Sequence, residues 1–187
     1  MTGLTLLSRK VLYTGRVFDL VVDNIQYASG NHGVREIARH PGGAVTVPLL
    51  DDGSVIFVKQ YRYPLQTFLI ELPAGKLSPG EDPAAAASRE LAEETGYTPR
   101  DLEHLVTIYS TPGFCDEQLS IYLARGLVLR PEGPAREEGE AAMTIETVPL
   151  SVAVEKALRG DFQDAKTIVG LLLADARLKS EHDRSRR

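Results

Sequence analysis

The stretch 75-GKLSPGEDPAAAASRELAEETGY-97 gathers the acids Glu81, Asp82, Glu90, Glu93 and Glu94 around a run of alanines. Its helix signals are local and agree with one another. Asp82 is a good N-cap, Pro83 suits the first helical position, Ala84 to Ala87 are strong helix formers, and Gly96 can take the left-handed stop. The pattern predicts a helix of roughly fourteen residues. On that helix Glu90, Glu93 and Glu94 project from one region, with Arg89 one turn before Glu93. Like charges so placed repel by about 0.2–0.5 kcal/mol per pair. They also sit in the last turn, at the negative end of the helix dipole. Something positive must compensate. Arg89 can neutralise one acid, and converging hard oxygen ligands are what Mg²⁺ or Mn²⁺ requires. Taken without its surroundings, an acidic helix face is an ordinary solvated surface.

Upstream, 10-KVLYTGRVFDLVVDNIQYASG-30 and 34-VREIARHPGGAVTVPLL-50 are rich in Val, Ile and Tyr and broken by Gly, Asn and Pro, which suggests strands joined by turns. Asp51-Asp52-Gly53 is a hairpin signal ahead of the apolar run 54-SVIFVKQYRY-63. Downstream come strand-like 104-HLVTIYS-110, 119-LSIYLARGLVL-129 and 143-MTIETVPL-150, an acidic loop at 131-PEGPAREEGE-140, and two helices beginning near Ser151 and Asp164. The outline is an α+β arrangement, a mixed sheet flanked by helices. Only 179-KSEHDRSRR-187 reads as a charged, frayed tail.

A chain of 187 residues with 43% hydrophobic content can bury one ordinary core and a small accessory subdomain. The net charge of −5 gives no basic footprint for nucleic acid, but it allows a small anionic substrate if a metal mediates the contact. One cysteine, Cys115, excludes an intramolecular disulfide framework. With no signal-peptide pattern and no long apolar run, the expected setting is cytoplasmic, without membrane contact. His32, His40, His104 and His182 show no metal-ligand spacing.

The spacing Gly75, five residues, Glu81, seven residues, Arg89-Glu90-Leu91, one residue, Glu93-Glu94, one residue, Gly96-Tyr97 resembles the Nudix hydrolase box at every defined position. The resemblance implies a Nudix-type mixed β-sheet sandwiched between helices, with an N-terminal antiparallel β subdomain. It implies that Glu90 and Glu94 are principal ligands of Mg²⁺, or of Mn²⁺, with Glu93 assisting. Arg89 would pair with Glu93, and the backbone carbonyl of Ala74 would complete the metal site. Glu81 is expected to stabilise the loop.

The box does not name the substrate. Pro112, in 110-STPGFCDE-117, stands sixteen residues past Gly96 and resembles a mark of the ADP-ribose pyrophosphatase subfamily. Likewise 15-GRVFDL-20 resembles that subfamily's first strand and would place Phe18 on the adenine. The pair Arg35-Glu36 would lie near the same base. In 59-KQYRYP-64 the resemblance puts Arg62 on the diphosphate or the terminal ribose phosphate, where a planar guanidinium fork is suited to phosphate oxygens. The segment 71-ELPAGKL-77 is typical of the same group. Glu140 is the first choice for an extra ligand or general base, with Glu137 and Glu138 as rivals. The expected organisation is residues 1–40 as a dimerisation and substrate subdomain, 41–178 as the hydrolase domain, and 179–187 as a disordered tail. The expected reaction is hydrolysis of ADP-ribose to AMP and ribose 5-phosphate by a homodimer. The alternatives are another nucleoside diphosphate sugar, such as ADP-glucose or GDP-mannose, and a non-catalytic nucleotide-binding regulator.

Overall fold

The computed structural model describes residues 3–136 and 138–186, without the side chain of Glu140. The chain forms two compact units, one made of the residues up to Gly42 together with Tyr109–Gln118, the other of Gly43–Ile108 and the chain from Leu119 onward. The first therefore takes in a segment outside the 1–40 subdomain expected from the sequence.

In the first unit, β1 (Thr5–Thr14), β2 (Asp19–Gln26) and β3 (His32–Arg39) form an antiparallel meander. Asp23 is buried on this sheet and is gripped by Arg9, whose Nε and Nη2 each lie 2.7 Å from its two oxygens. The 109–118 segment joins at the β3 edge, where Ala38 N donates to Phe114 O at 2.8 Å and Asp116 N donates to Ala38 O at 3.2 Å. Those two bonds, with the Arg39–Asp116 pair at 2.8 Å, tie this stretch to β3.

The second unit is an α+β fold whose central strands are buried on both faces. Within it, β4 (Gly43–Pro48) runs parallel to β10 (Gln118–Arg125), in a sheet of order β7-β4-β10-β9 with β7 (Ala74–Lys76) and β9 (Asp101–Tyr109) at the edges. Side chains alternate across a strand. On one face Ala44 and Tyr122 pack against Ala86 and Ala87 of α1 (Pro83–Thr95), and Thr46 Oγ1 donates to Ala87 O at 3.1 Å. On the other face Val45, Val47, Ile121 and Leu123 join a core completed by α2 (Leu150–Arg159) and α3 (Ala165–Ser185). A second sheet, in the order β12-β5-β6, contributes β5 (Ser54–Arg62), β6 (Thr67–Glu71) and β12 (Thr144–Pro149). Its Phe57 stacks on Phe162 with ring centroids 5.5 Å apart. A short ribbon pairs β8 (Tyr97–Thr98) with β11 (Val128–Leu129).

The hairpin expected at Asp51-Asp52-Gly53 is present, with Gly53 at φ 82° and Leu50 N bonded to Ser54 O at 2.8 Å. The C-terminal expectation is corrected. Helix α3 continues through the charged stretch to Ser185, held by a Lys179–Asp175 pair at 2.7 Å and an Arg125–Glu181 pair at 2.8 Å. Within that stretch Lys179 is paired along the helix and Glu181 across to β10. Among the described residues, no helix is long and apolar enough to cross a membrane.

Candidate active site

The acidic helix begins and ends on the expected residues. The Asp82 side chain accepts from Ala85 N at 3.2 Å, and Gly96, at φ 81°, turns the chain out of the helix. Within α1, Arg89 binds three glutamates at once. Its Nε and Nη2 reach the Glu81 carboxylate at 2.8 and 2.9 Å, and its Nη1 reaches Glu90 at 2.7 Å and Glu93 at 3.0 Å. Nη2 also bonds Lys76 O at 3.3 Å, which ties the loop to the helix. Glu81, set before the helix, accepts from Ser78 N at 2.9 Å as well. The Arg89 hydrogen bonds, helped by the Ser78 amide, lower its carboxyl from 4.5 to about 2. Arg89 itself is driven further up, first by its bond to Glu81 and then, against its own desolvation, by Glu90 and Glu93.

Two close approaches complete the loop–helix unit. The Glu90 carboxylate lies so near the Gly75 backbone that a Cβ at position 75 would overlap it. Glycine is thus required there by the helix packed beside it. Glu94 is buried, and its carboxylate accepts from Ala74 N at 3.1 Å. A buried carboxylate is tolerated only with such partners. At the helix end the Glu94 backbone oxygen accepts from Arg136 Nε at 2.9 Å, and Glu93 O accepts from Ala135 N at 2.9 Å. Arg136 therefore places a cation where the helix dipole is negative. Its Nη1 also bonds Met143 O at 2.5 Å, so one side chain spans the base of the acidic loop.

A cleft of about 530 Å³ gathers Ala74, Gly75, Glu90, Glu93, Glu94 and Arg62. That size is ordinary for a small-molecule site. Gln60, Lys76, Ser78, Arg89 and Ala135 line it too. Arg62 is held side-on by Glu71, with Nε and Nη2 each 2.6 Å from its oxygens. Glu71 is 1% exposed and also contacts Lys166, which in turn lies 2.9 Å from Asp164. Burial pushes the Glu71 carboxyl up, but Arg62 and Lys166 together more than offset this and hold it below its ordinary value. Removing one partner from a buried pair of this kind typically costs about 3–5 kcal/mol.

Neither Glu71 nor Lys166 was singled out in the sequence, because their separation of 95 residues leaves no periodic trace. Arg136 was missed for the same reason. Phe18, Arg35, Glu36 and Pro112 lie in the first unit. Phe18 is 41% exposed and tilted against Tyr13, with ring centroids 6.2 Å apart. Arg35 bonds Tyr27 Oη at 2.9 Å, with its guanidinium 5.7 Å from the centre of that ring. Glu36 is exposed, and as the next residue of a regular strand it faces the opposite side of the sheet from Arg35. Pro112 lies in an exposed turn closed by Cys115 N to Thr111 O at 3.1 Å. In the acidic loop, Glu138 begins a short 3₁₀ turn, Glu138–Glu140, whereas Glu137 and the Glu140 side chain lie outside the described residues. Among the described residues, no three His, Cys, Asp or Glu side chains stand together as a ready cation cage.

Residues 40–169 match the NUDIX domain family, and the chain belongs to it. It is 38% identical over 161 residues to the ADP-ribose pyrophosphatase of Bacillus subtilis (strain 168), covering 86% of each chain. It is 39% identical over 173 residues to that of Mycobacterium tuberculosis (strain ATCC 25618 / H37Rv), covering 91% of this chain and 82% of the other. At 37% identity over 160 residues it also resembles the methanol dehydrogenase activator of Bacillus methanolicus, with 86% of both covered. A crystal structure of an ADP compounds hydrolase shares the fold, with a TM-score of 0.82, 22% identity and 95% of both chains covered.

The Glu81–Arg89 pair carries a pH signature. Glu81 has a depressed folded-state value, so its stabilising contribution is fully present above about 4.5 and is lost as pH falls toward about 2. Thermal melts of wild-type and Glu81→Gln protein should differ at pH 6 and converge near pH 2, as far as both remain folded. A gap in Tm that is unchanged across that window contradicts the assignment.

Proposed function

We propose that this chain is a Nudix hydrolase that cleaves the diphosphate of ADP-ribose with water, giving AMP and ribose 5-phosphate. The observation that carries the reading is the single cleft in which a phosphate-suited guanidinium, Arg62, shares a wall with Glu90, Glu93, Glu94 and the Ala74–Gly75 backbone. Two relatives at 38% and 39% identity that bear the name ADP-ribose pyrophosphatase support the substrate.

The donor set is all hard oxygen, which fits Mg²⁺ or Mn²⁺. Glu90 and Glu94 would hold the ion, with Glu93 and the Ala74 carbonyl assisting. Bound there, a divalent cation neutralises phosphate oxygens and lowers the pKa of a water so that it can attack phosphorus. The chain's own side chains do the rest. Arg89 binds Glu81, Glu90 and Glu93 together and so holds them in place against one another's repulsion. Arg62 presents its fork to the diphosphate. On the sequence resemblance, Phe18, Arg35 and Glu36 are assigned to the adenine and Pro112 to substrate binding. Glu140 is assigned as the group that takes the proton from the attacking water, and Arg136 supports this by fastening the loop that bears it.

Two copies are proposed to pair through β1. This strand is exposed along its whole length, and Leu6, Val11, Leu12 and Tyr13 are each more than half exposed to solvent. An edge strand with such an apolar surface is a ready site for strand or face pairing. Sedimentation at micromolar concentration should give twice the chain mass; a monomer mass sinks the pairing.

The direct test is product analysis with Mg²⁺, comparing kcat/KM for ADP-ribose, ADP-glucose, GDP-mannose, NADH and diadenosine polyphosphates. ADP-ribose should lead and yield AMP. Preference for another substrate overturns the substrate assignment and keeps the hydrolase. Nucleotide binding with no turnover favours a regulator, a reading to which the similarity with the methanol dehydrogenase activator lends weight. Within the acidic loop, Glu140→Gln should lower kcat by about 10²–10⁴-fold, the usual contribution of a general base, with little change in KM. If Glu137→Gln or Glu138→Gln has that effect while Glu140→Gln is mild, the base is misassigned.

A further inference from the structure

Arg62 does not stand alone in its wall of the cleft. Nε and Nη2 are taken by the Glu71 carboxylate at 2.6 Å each, and among the described residues no protein acceptor bonds Nη1. A guanidinium engaged side-on by one carboxylate has most of its charge cancelled, which would make it a poor anion receptor. Here the carboxylate is shared. Lys166, only 12% exposed at its side chain, contacts the same Glu71 oxygen that Arg62 Nη2 holds. Asp164 completes the group at 2.9 Å from Lys166, but its other oxygen caps α3 by accepting from Thr167 N at 3.0 Å and Thr167 Oγ1 at 2.5 Å. Part of the Asp164 charge is thus balanced by the helix N-terminus. The same cap fixes the strand end, because Thr167 Oγ1 meets Leu72 N at 2.8 Å, two residues before Ala74.

We propose that Lys166 is a positioning residue for anion binding: by sharing the buried Glu71 carboxylate it leaves the Arg62 guanidinium with positive charge to offer a diphosphate. The inference rests on the reading of Arg62 as the anion-binding group of the cleft. With Lys166 present, Arg62 and Lys166 balance Glu71 and Asp164. Without it the group carries an excess negative charge behind the cleft, which opposes any phosphate that approaches. The device couples the first turn of α3 to the site without any residue of that helix touching substrate.

Calorimetric titration with magnesium pyrophosphate reads this directly and needs neither turnover nor a nucleoside. Lys166→Met should bind about tenfold more weakly, the lower range for loss of a charge-assisted contact. Lys166→Arg should remain near wild type. In the double variant Lys166→Met/Glu71→Gln the missing cation is matched by a missing anion, and affinity should recover most of what the single change lost. A purely structural role for Lys166 predicts no such recovery. Glu71→Gln alone should bind at least as tightly as wild type, since the amide oxygen still accepts from Arg62, and this arm decides if the single Lys166 variant does not fold. Unchanged binding in Lys166→Met, no recovery in the double variant, weaker binding in Glu71→Gln, or no binding by the wild type each overturns the inference. ADP-ribose turnover measured on the same wild-type sample keeps the two ideas apart: absence of cleavage sinks the substrate assignment and leaves the pyrophosphate result to stand by itself.

Discussion

Three glutamates leaning on one guanidinium is the interaction on which the second unit's chemistry depends. Glu90 and Glu93 lie in the last two turns of α1, where the helix dipole and their mutual repulsion both disfavour them. Arg89 answers both from within the same helix, and its other nitrogens reach out to Glu81 and Lys76 O. One side chain therefore sets the charge balance of the helix end and the path of the loop in front of it. Because Arg89 is at most one-third exposed, these contacts are better protected from solvent than an open surface pair, which is usually worth under about 1 kcal/mol.

Packing does the remaining placement. The β4 strand buries both faces, so α1 and the α2–α3 pair are held on opposite sides of one sheet. Its edge partner β7 carries Ala74 and Gly75 past the helix, with Ala44 opposite Gly75 and Val45 opposite Ala74. From the other direction, the cap of α3 pins Leu72 through Thr167. The segment that passes between these fixtures has little room to move. A glycine at 75 is the one residue that admits the Glu90 carboxylate, and buried Glu94 closes the arrangement through the Ala74 amide.

How much of this was legible in the sequence follows from the distances involved. The α1 helix, its Asp82 cap and its Gly96 stop were readable because capping and left-handed stops act within a few residues. The Asp51-Asp52-Gly53 turn was readable for the same reason, as was the clustering of Glu90, Glu93 and Glu94. Glu71 with Lys166, and Arg136 with the Glu94 carbonyl, are partnerships between residues far apart in the chain, and no period or spacing announces them. The charged C-terminal stretch misled because its ion pairs are with Asp175 one turn back and with Arg125 on a distant strand. Arg35 and Glu36 are adjacent in sequence, yet a regular strand sends them to opposite faces, which a reading of the pair as a unit overlooks.

The central claim is that the acidic end of α1 is a divalent-cation site completed by a diphosphate. Titration of Mn²⁺ into the protein, followed by its electron paramagnetic resonance signal with and without a non-hydrolysable ADP-ribose analogue, tests it most directly. The account predicts Mn²⁺ binding that tightens when the analogue is present and is weakened in Glu90→Gln and Glu94→Gln proteins that keep the wild-type fold. Binding that is absent, indifferent to the analogue, or unchanged by both substitutions would contradict it.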